Sequence, residues 1–158
     1  MTPQELEFIY GSETPDVART RIEPLANGGN PIAQFYMGHL CDEAGDETSA
    51  VNWYRKASNS DYLPAKHFLA SFMYYGLGTD QDVPRALLLF REAAERGYAD
   101  SQCRLGLYLL ESADTRAEAL TWLRKARSQG HMAAIQTLAK EGDSALMRRS
   151  APGRADDR

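Results

Sequence analysis

Ala50-Val-Asn-Trp-Tyr-Arg-Lys-Ala57, Ala86-Leu-Leu-Leu-Phe-Arg-Glu-Ala93 and Ala119-Leu-Thr-Trp-Leu-Arg-Lys-Ala126 align without gaps. Each stretch has Ala at both ends, large apolar residues at the fourth and fifth places, then Arg followed by Lys or Glu. Four residues beyond the closing Ala stands Asp61, Gly97 or Gly130, a place suited to the left-handed stop of a helix. Eight residues beyond it come Ala65, Ser101 and Ala134, small residues that open another helix. A helix, a stop and a second helix at a fixed spacing, three times over, predict an α-helical repeat array.

The helix that follows each stop, which opens the next repeat, recurs as well. Ala33-Gln-Phe-Tyr-Met-Gly38, Ala65-Lys-His-Phe-Leu-Ala70 and Ser101-Gln-Cys-Arg-Leu-Gly106 share a small first residue and a large–small pair at the fifth and sixth places. Ala134-Ile-Gln-Thr-Leu-Ala139 begins a fourth copy. A small residue beside a large one lets a neighbouring helix approach closely and fill the gap. From Gly38 to Ala50 is 12 residues, from Ala70 to Ala86 is 16 and from Gly106 to Ala119 is 13, so length varies only in the turn inside each repeat. Loop insertions cost little entropy, whereas insertions in a helix would break its register.

A degenerate copy precedes these. Ala18-Arg-Thr-Arg-Ile-Glu-Pro-Leu25 fits the template, with Gly29 at the stop and Pro24 as a potential kink. A short opening helix runs from Pro3 to Tyr10 and closes at Gly11. The predicted helices are 3–10, 15–27, 31–42, 46–59, 63–76, 82–96, 99–112, 115–129 and 132–140. The fold class is therefore all-α, an α-solenoid of antiparallel helix pairs over residues 1–140. It comprises a capping pair (1–30), repeats at 31–62, 63–98 and 99–131, and a closing helix (132–140). Residues 141–158 hold few apolar groups and are expected to form a disordered tail, with Arg148, Arg149, Arg154 and Arg158 solvated.

Composition narrows the function. With 158 residues, 43% hydrophobic and 25% charged, the chain suits one globular domain, and its net charge of −4 argues against a general nucleic-acid binder. There is no run of 18 apolar residues, so no membrane span is expected. Met1-Thr-Pro-Gln-Glu-Leu-Glu7 carries acid where a secretory signal carries base, which points to the cytoplasm. Two cysteines, Cys41 and Cys103, supply neither a zinc cluster nor a disulfide framework and are expected to be buried hydrophobes.

The stretch from Ala65 to Gly97, with its Tyr75-Gly-Leu-Gly78 turn, Asp82, Ala86 and an Ala93-Ala-Glu-Arg-Gly97 ending, resembles the Sel-1-like repeat, a relative of the tetratricopeptide repeat. Arg104-Leu-Gly-Leu-Tyr108 with Trp122-Leu-Arg-Lys-Ala126 carries the likeness into the next repeat, and Trp53-Tyr-Arg-Lys-Ala57 into the preceding one. Those two depart from the pattern in shortened turns without Gly-x-Gly. The resemblance implies a right-handed superhelix and a scaffold or adaptor that binds another protein. Bacterial members also include immunity or accessory proteins encoded beside secreted toxins, which makes neutralisation of a toxin or effector, or a chaperone-like role, the alternative. A cysteine-rich branch linked with β-lactam hydrolysis has a disulfide in each repeat, and this chain lacks that pattern.

In stacked helix pairs the first helix of each repeat lines the concave side. Its outward places are expected at the third template residue and four and seven residues later. They are Phe35, His39 and Asp42, then His67, Ser71 and Tyr74, then Cys103, Leu107 and Leu110, with Gln136 and Lys140 on the closing helix. Mixed aromatic, imidazole and aliphatic groups with few charges suit a helix or an extended peptide of another protein. The competing reading buries Leu107 and Leu110 under the superhelix curvature. His39, His67 and Asp42 are too widely spaced for a metal, because adjacent helices lie about 8–10 Å apart. No Ser-His-Asp or Cys-His arrangement is legible, so a hydrolase is the least supported reading, and no cofactor is expected. Asp42, Glu43, Asp46 and Glu47, with Asp80 and Asp82, sit where helix caps belong, and Trp53 and Trp122 occupy equivalent core places.

Overall fold

A computed structural model describes the backbone of residues 1–150 and the side chains of residues 1–142. Its helices are α1 (Pro3–Ser12), α2 (Pro15–Asn27), α3 (Pro31–Glu43), α4 (Glu47–Asn59), α5 (Leu63–Tyr75), α6 (Val83–Glu95), α7 (Ala99–Leu109), α8 (Arg116–Ser128) and α9 (Met132–Ser150), and no strand occurs among the described residues. The chain is an all-α helical-repeat solenoid. Each of α3, α5 and α7 packs against the helix before it and the helix after it, whereas α9 packs chiefly on α8.

The helix ends follow local chemistry. Asp46 caps α4 by accepting from the Ser49 N–H at 3.0 Å, and Asp82 caps α6 by accepting from Arg85 N–H at 3.0 Å. Gly29, Gly97 and Gly130 take φ of 89°, 95° and 83° at the expected stops, and Asp61 takes 61° in the same role. Asp61 holds that conformation while receiving Arg96 at 2.8 Å and Lys66 at 3.5 Å. In the Gly-x-Gly turn, Gly78 combines a φ of 60° with an approach so close that a Cβ would lie 2.3 Å from the Glu47 carbonyl carbon. Only glycine fits there.

Three boundaries differ from the sequence reading by more than one residue. Helix α1 runs through Gly11, because the Glu13 N–H still reaches the Ile9 carbonyl at 3.2 Å. Helix α7 stops at Leu109 rather than 112, where the Thr115 hydroxyl donates to the Leu109 carbonyl at 2.6 Å. The closing helix extends past 140 to Ser150. Its added residues include the strong helix formers Ala145, Leu146, Met147, Arg148 and Arg149, and the breaker comes only at Pro152. The remainder of the expected tail, 151–158, lies outside the described residues.

Packing follows the small–large template. Tyr54, Phe90 and Leu123, the fifth residues of the second helices, are completely buried. A Cβ on Gly38 would lie 2.5 Å from the Tyr54 ring, and one on Gly106 would lie 2.8 Å from Leu123 Cγ. The fourth places are less uniform. Trp122 is buried and Trp53 half-buried, each covered by an ammonium 4.1 Å from its ring, from Lys125 and Lys56.

A polar clamp joins successive repeats. Gln34 and Gln102, second residues of their templates, are buried and donate to the Ala26 and Ala94 carbonyls at 3.1 and 3.0 Å. Gln129 completes the later clamp, donating to Gln102 Oε1 at 2.9 Å and to the Gly97 carbonyl at 3.0 Å. The middle repeat does the same work with charge, through Lys66, Glu92, Asp61 and Arg96. In the first repeat the residue equivalent to Gln129 is Ser60, and Gln34 Oε1 is buried without a partner.

Two outcomes follow from these contacts. Gly38→Ala is expected to lower the melting temperature despite alanine's better helix propensity, because overpacking against a rigid ring costs about 1–3 kcal/mol. Gly106→Ala, whose Cβ would lie 2.8 Å from Leu123 Cγ and 3.1 Å from the Ala119 carbonyl oxygen, makes a milder overlap and should cost less, and thermal denaturation of the pair would check the order. Ser60→Gln, at a backbone conformation close to that of Gln129, should supply the missing donor. It is expected to raise stability by about 0.5–1.5 kcal/mol in urea denaturation.

Candidate partner-binding face

The first-helix face is set by a rotation that the sequence reading missed by one residue. Phe35 was expected to point outward but is buried, 8% exposed, with its ring against His39, Tyr62 and Phe68 at centroid distances of 4.4, 5.4 and 5.5 Å. Cys103 is likewise buried, packed with Leu123, Ala126 and Ala134. Third template residues therefore face the first helix of the next repeat. The cause is direct packing between first helices, which periodicity within one helix does not reveal.

The outward row starts one residue later. It comprises Tyr36, His39 and Glu43 on α3, then Phe68, Ser71 and Tyr75 on α5, then Arg104, Leu107 and Glu111 on α7, all half-buried or exposed. His39, Ser71 and Leu107 belong to both rows. Asp42, Tyr74 and Leu110 are half-buried beside it, while Gln136 and Lys140 are exposed on α9. Leu110 leans onto two core clusters, so it contributes packing more than contact surface. Tyr36, Tyr75, Arg104 and Tyr108 lie outside the expected row, although each stands next in sequence to one of its members.

At the amino end the face is aromatic and acidic. Tyr10 donates to Glu43 and packs against Tyr36 and His39 at 5.0 and 5.7 Å, and the Tyr54 hydroxyl is 3.2 Å from His39 Nδ1. Further along, Arg104 donates to the Tyr75 hydroxyl at 3.0 Å, and Tyr74 meets Tyr75 and Tyr108 edge-on. The Ser71 hydroxyl donates to the His67 carbonyl at 3.0 Å, so it is committed to the helix backbone.

His67, Asp100, Cys103, Arg104, Leu107, His131 and Ala133 line a pocket of about 270 Å³ spanning α5, α7 and the start of α9. His67 Nδ1 lies 3.0 Å from Ser101 Oγ, and His131 Nε2 lies 3.0 Å from Asp100 Oδ1. His131 Nδ1 also accepts the Ala134 N–H at 3.4 Å, capping α9. A cysteine, two histidines and an aspartate in one pocket invite comparison with a thiol hydrolase. The chemistry runs the other way, because burial pushes the Cys103 thiol up from its ordinary value, opposite to an activated thiolate. Both ring nitrogens of His131 are already engaged elsewhere. Among the described residues no His, Cys, Asp and Glu are grouped to hold a metal.

A pocketed face on rigid stacked helices defines a helical-repeat binding scaffold. The comparisons with known proteins agree with that class. The Sel1 repeat model matches residues 31–62, 63–98 and 99–131, and the chain belongs to the Sel1 repeat family, whose members are typically protein-interaction scaffolds. It is similar to an uncharacterized protein of Neisseria meningitidis serogroup B, 29% identical over 140 residues, which covers 87% of this chain and 29% of the relative. Among solved structures it resembles a protective antigen of uropathogenic Escherichia coli that displays this repeat fold, with a TM-score of 0.71 and 29% identity over 90% of this chain and 31% of that one. It also resembles a Sel1 repeat protein from Oxalobacter formigenes, with a TM-score of 0.75 and 24% identity over 84% of this chain and 57% of that one. The chain thus spans less than a third of the first two relatives. No described helix is long and apolar enough to cross a membrane.

The pocket histidine makes the fold pH-sensitive. Burial holds the His67 imidazole down to about 4, opposed by Asp100 and reinforced by Arg104 and His131. His39 is lowered by burial too, against Asp42 and Glu43. The unfolded chain takes up these protons near the usual 6.5, while the folded chain resists them. Stability is therefore complete above about 6.5 and falls as the pH drops from there toward 4. Urea denaturation at pH 7.5 and pH 5 should show this loss, and His67→Asn, which keeps a polar group near Ser101, should flatten the slope.

Proposed function

We propose that this chain is a protein-interaction module that holds an extended segment of another protein along the first-helix face. The supporting observation is the run of Tyr75, Arg104 and Leu107 beside the pocket of about 270 Å³. Tyr75 is 52% and Leu107 36% exposed, large apolar groups left open on a rigid surface. Arg104 stands between them as a forked donor for a carboxylate. A strand-like segment carrying an acidic group next to an apolar side chain matches that order of chemistry. Aromatic and Arg anchors of this kind carry most of the energy in protein contacts.

Peptides selected from a phage-displayed random library against the intact protein, then measured by calorimetry, would test the reading. Selected peptides are expected to pair an acidic residue with an apolar one and to lose at least tenfold in affinity with Arg104→Ala or Leu107→Ala. Affinity unchanged by both substitutions would place the contact elsewhere.

A further inference from the structure

The carboxyl-terminal end of the solenoid carries a second opening. Arg116, Leu120, Arg124 and Arg127 of α8, with Leu138, Glu141 and Gly142 of α9, line a pocket of about 290 Å³. The repeat itself explains why it is there. Ala33, Ala65, Ser101 and Ala134 align, and eight residues beyond them stand Cys41, Met73, Leu109 and Gly142. The first three are buried side chains, at 2%, 7% and 8% exposure, that fill the space between the helices of a pair. In α9 the fourth is glycine, and nothing lies within 4 Å of where its Cβ would be. The second helix of the same repeat, which packs on α3, α5 and α7 as α4, α6 and α8, has no counterpart for α9 among the described residues.

The α8 side of the opening has changed in step. Leu120 and Arg127 align with Val51 and Ser58 on α4 and with Leu87 and Ala94 on α6. Val51, Ser58 and Ala94 are buried by the following repeat, and Leu87 packs against the core. At the end of the array a small buried residue becomes an exposed arginine. Arg124 and Arg127 form no ion pair among the described residues, while Arg116 is bound by Glu141. From Arg116 to Gly142 there are five Lys and Arg against two Glu, in a chain whose net charge is −4.

We infer that this opening is a docking site for one amphipathic α-helix of a partner protein, with a leucine-class side chain entering the hole beside Gly142 and acidic residues facing Arg124 and Arg127. The occupant is a helix because the fold places a helix at the equivalent position of every earlier repeat. It is acidic because the rim is basic, and a basic helix would meet like charge. The apolar floor of Leu120 and Leu138 calls for residues spaced one helical turn apart. A second copy of this chain is a poorer occupant, since its second helices α2, α4 and α6 lie between two first helices and α8 is held by α7 and α9. This site is separate from the first-helix face and does not depend on the function proposed for it.

The test uses the full chain and a fluorescein-labelled, alanine-based peptide of about 16 residues, long enough to form helix, with leucines at i, i+4 and i+7 flanked by glutamates. Its lysine-flanked counterpart is the control. Fluorescence anisotropy should show the acidic peptide binding and the basic one at least tenfold weaker. Gly142→Leu should fill the hole and abolish binding while raising the melting temperature, because leucine is also the better helix former. The double variant Arg124→Glu/Arg127→Glu should reverse the preference between the peptides. The inference is overturned if the acidic peptide fails to bind, if both peptides bind alike, or if Gly142→Leu binds as the wild type does. Sedimentation of the protein alone covers the remaining case. Self-association that Gly142→Leu abolishes would give the opening to a second copy and overturn the assignment to a partner helix.

Discussion

The close approach of Gly38 to the Tyr54 ring is the contact on which the stacking depends. A helix pair can bury a large side chain at its centre only if the facing helix offers a small residue there. Gly106 against Leu123 repeats the arrangement, and Ala70 shares a buried cluster with Phe90 in the middle repeat. In each repeat the facing residue is glycine or alanine, whichever large side chain it accommodates. Because each such contact fixes the spacing within its pair, the next pair finds its place through short-range packing alone.

Polar groups do the work of register that apolar packing leaves undone. The buried amides of Gln34 and Gln102 reach the last turn of the preceding repeat, whose Ala26 and Ala94 carbonyls also accept the Gly29 and Gly97 N–H groups. Lys66 makes the equivalent connection through carboxylates. An amide and an ammonium at the same template place serve one purpose, which is why that position looked variable in the sequence while its geometry is constant. The left-handed Asp61 belongs to the same device, since glycine there would relieve the backbone but leave Arg96 and Lys66 without that carboxylate.

The helices, their stops and their order were legible in the sequence because they rest on spacing. Left-handed stops, acidic caps at Asp46 and Asp82, and small–large pairs are local features with local causes. The binding face was legible only in part. Choosing which side of a helix faces out requires knowing what packs on its other sides, and contact between first helices of successive repeats lies 32 to 36 residues apart in the chain. Phe35 and Cys103 were therefore placed outside when Phe68 and Ala134 cover them or pack with them. Cys103, His67, Asp100 and His131 were unreadable as a pocket for the same reason, being drawn from three helices. The end of α9 is hard to read for a different reason: low hydrophobicity points to a tail from 141, while the described helix runs on to Ser150, as helix-forming residues can extend a helix that is already anchored.

The repeats also show where the chain is free to carry specificity. Places fixed by packing hold nearly the same residue each time: Ala at both ends of the second helix, a small residue at the sixth place of the first. The outward row repeats far less, with only the glutamates of the first and third repeats in common. Its fourth places are Tyr36, Phe68 and Arg104, its seventh are His39, Ser71 and Leu107, and its eleventh are Glu43, Tyr75 and Glu111. An array that asked nothing of this face would fill it with interchangeable solvated residues, as the ordinary exposed side of a helix is filled. Tyr36, His39 and Phe68 also pack against the core and its rings, whereas Tyr75 and Leu107 are left exposed. On the proposed function, each of these positions would meet a different group of one asymmetric ligand, with the regular core holding them at fixed distances.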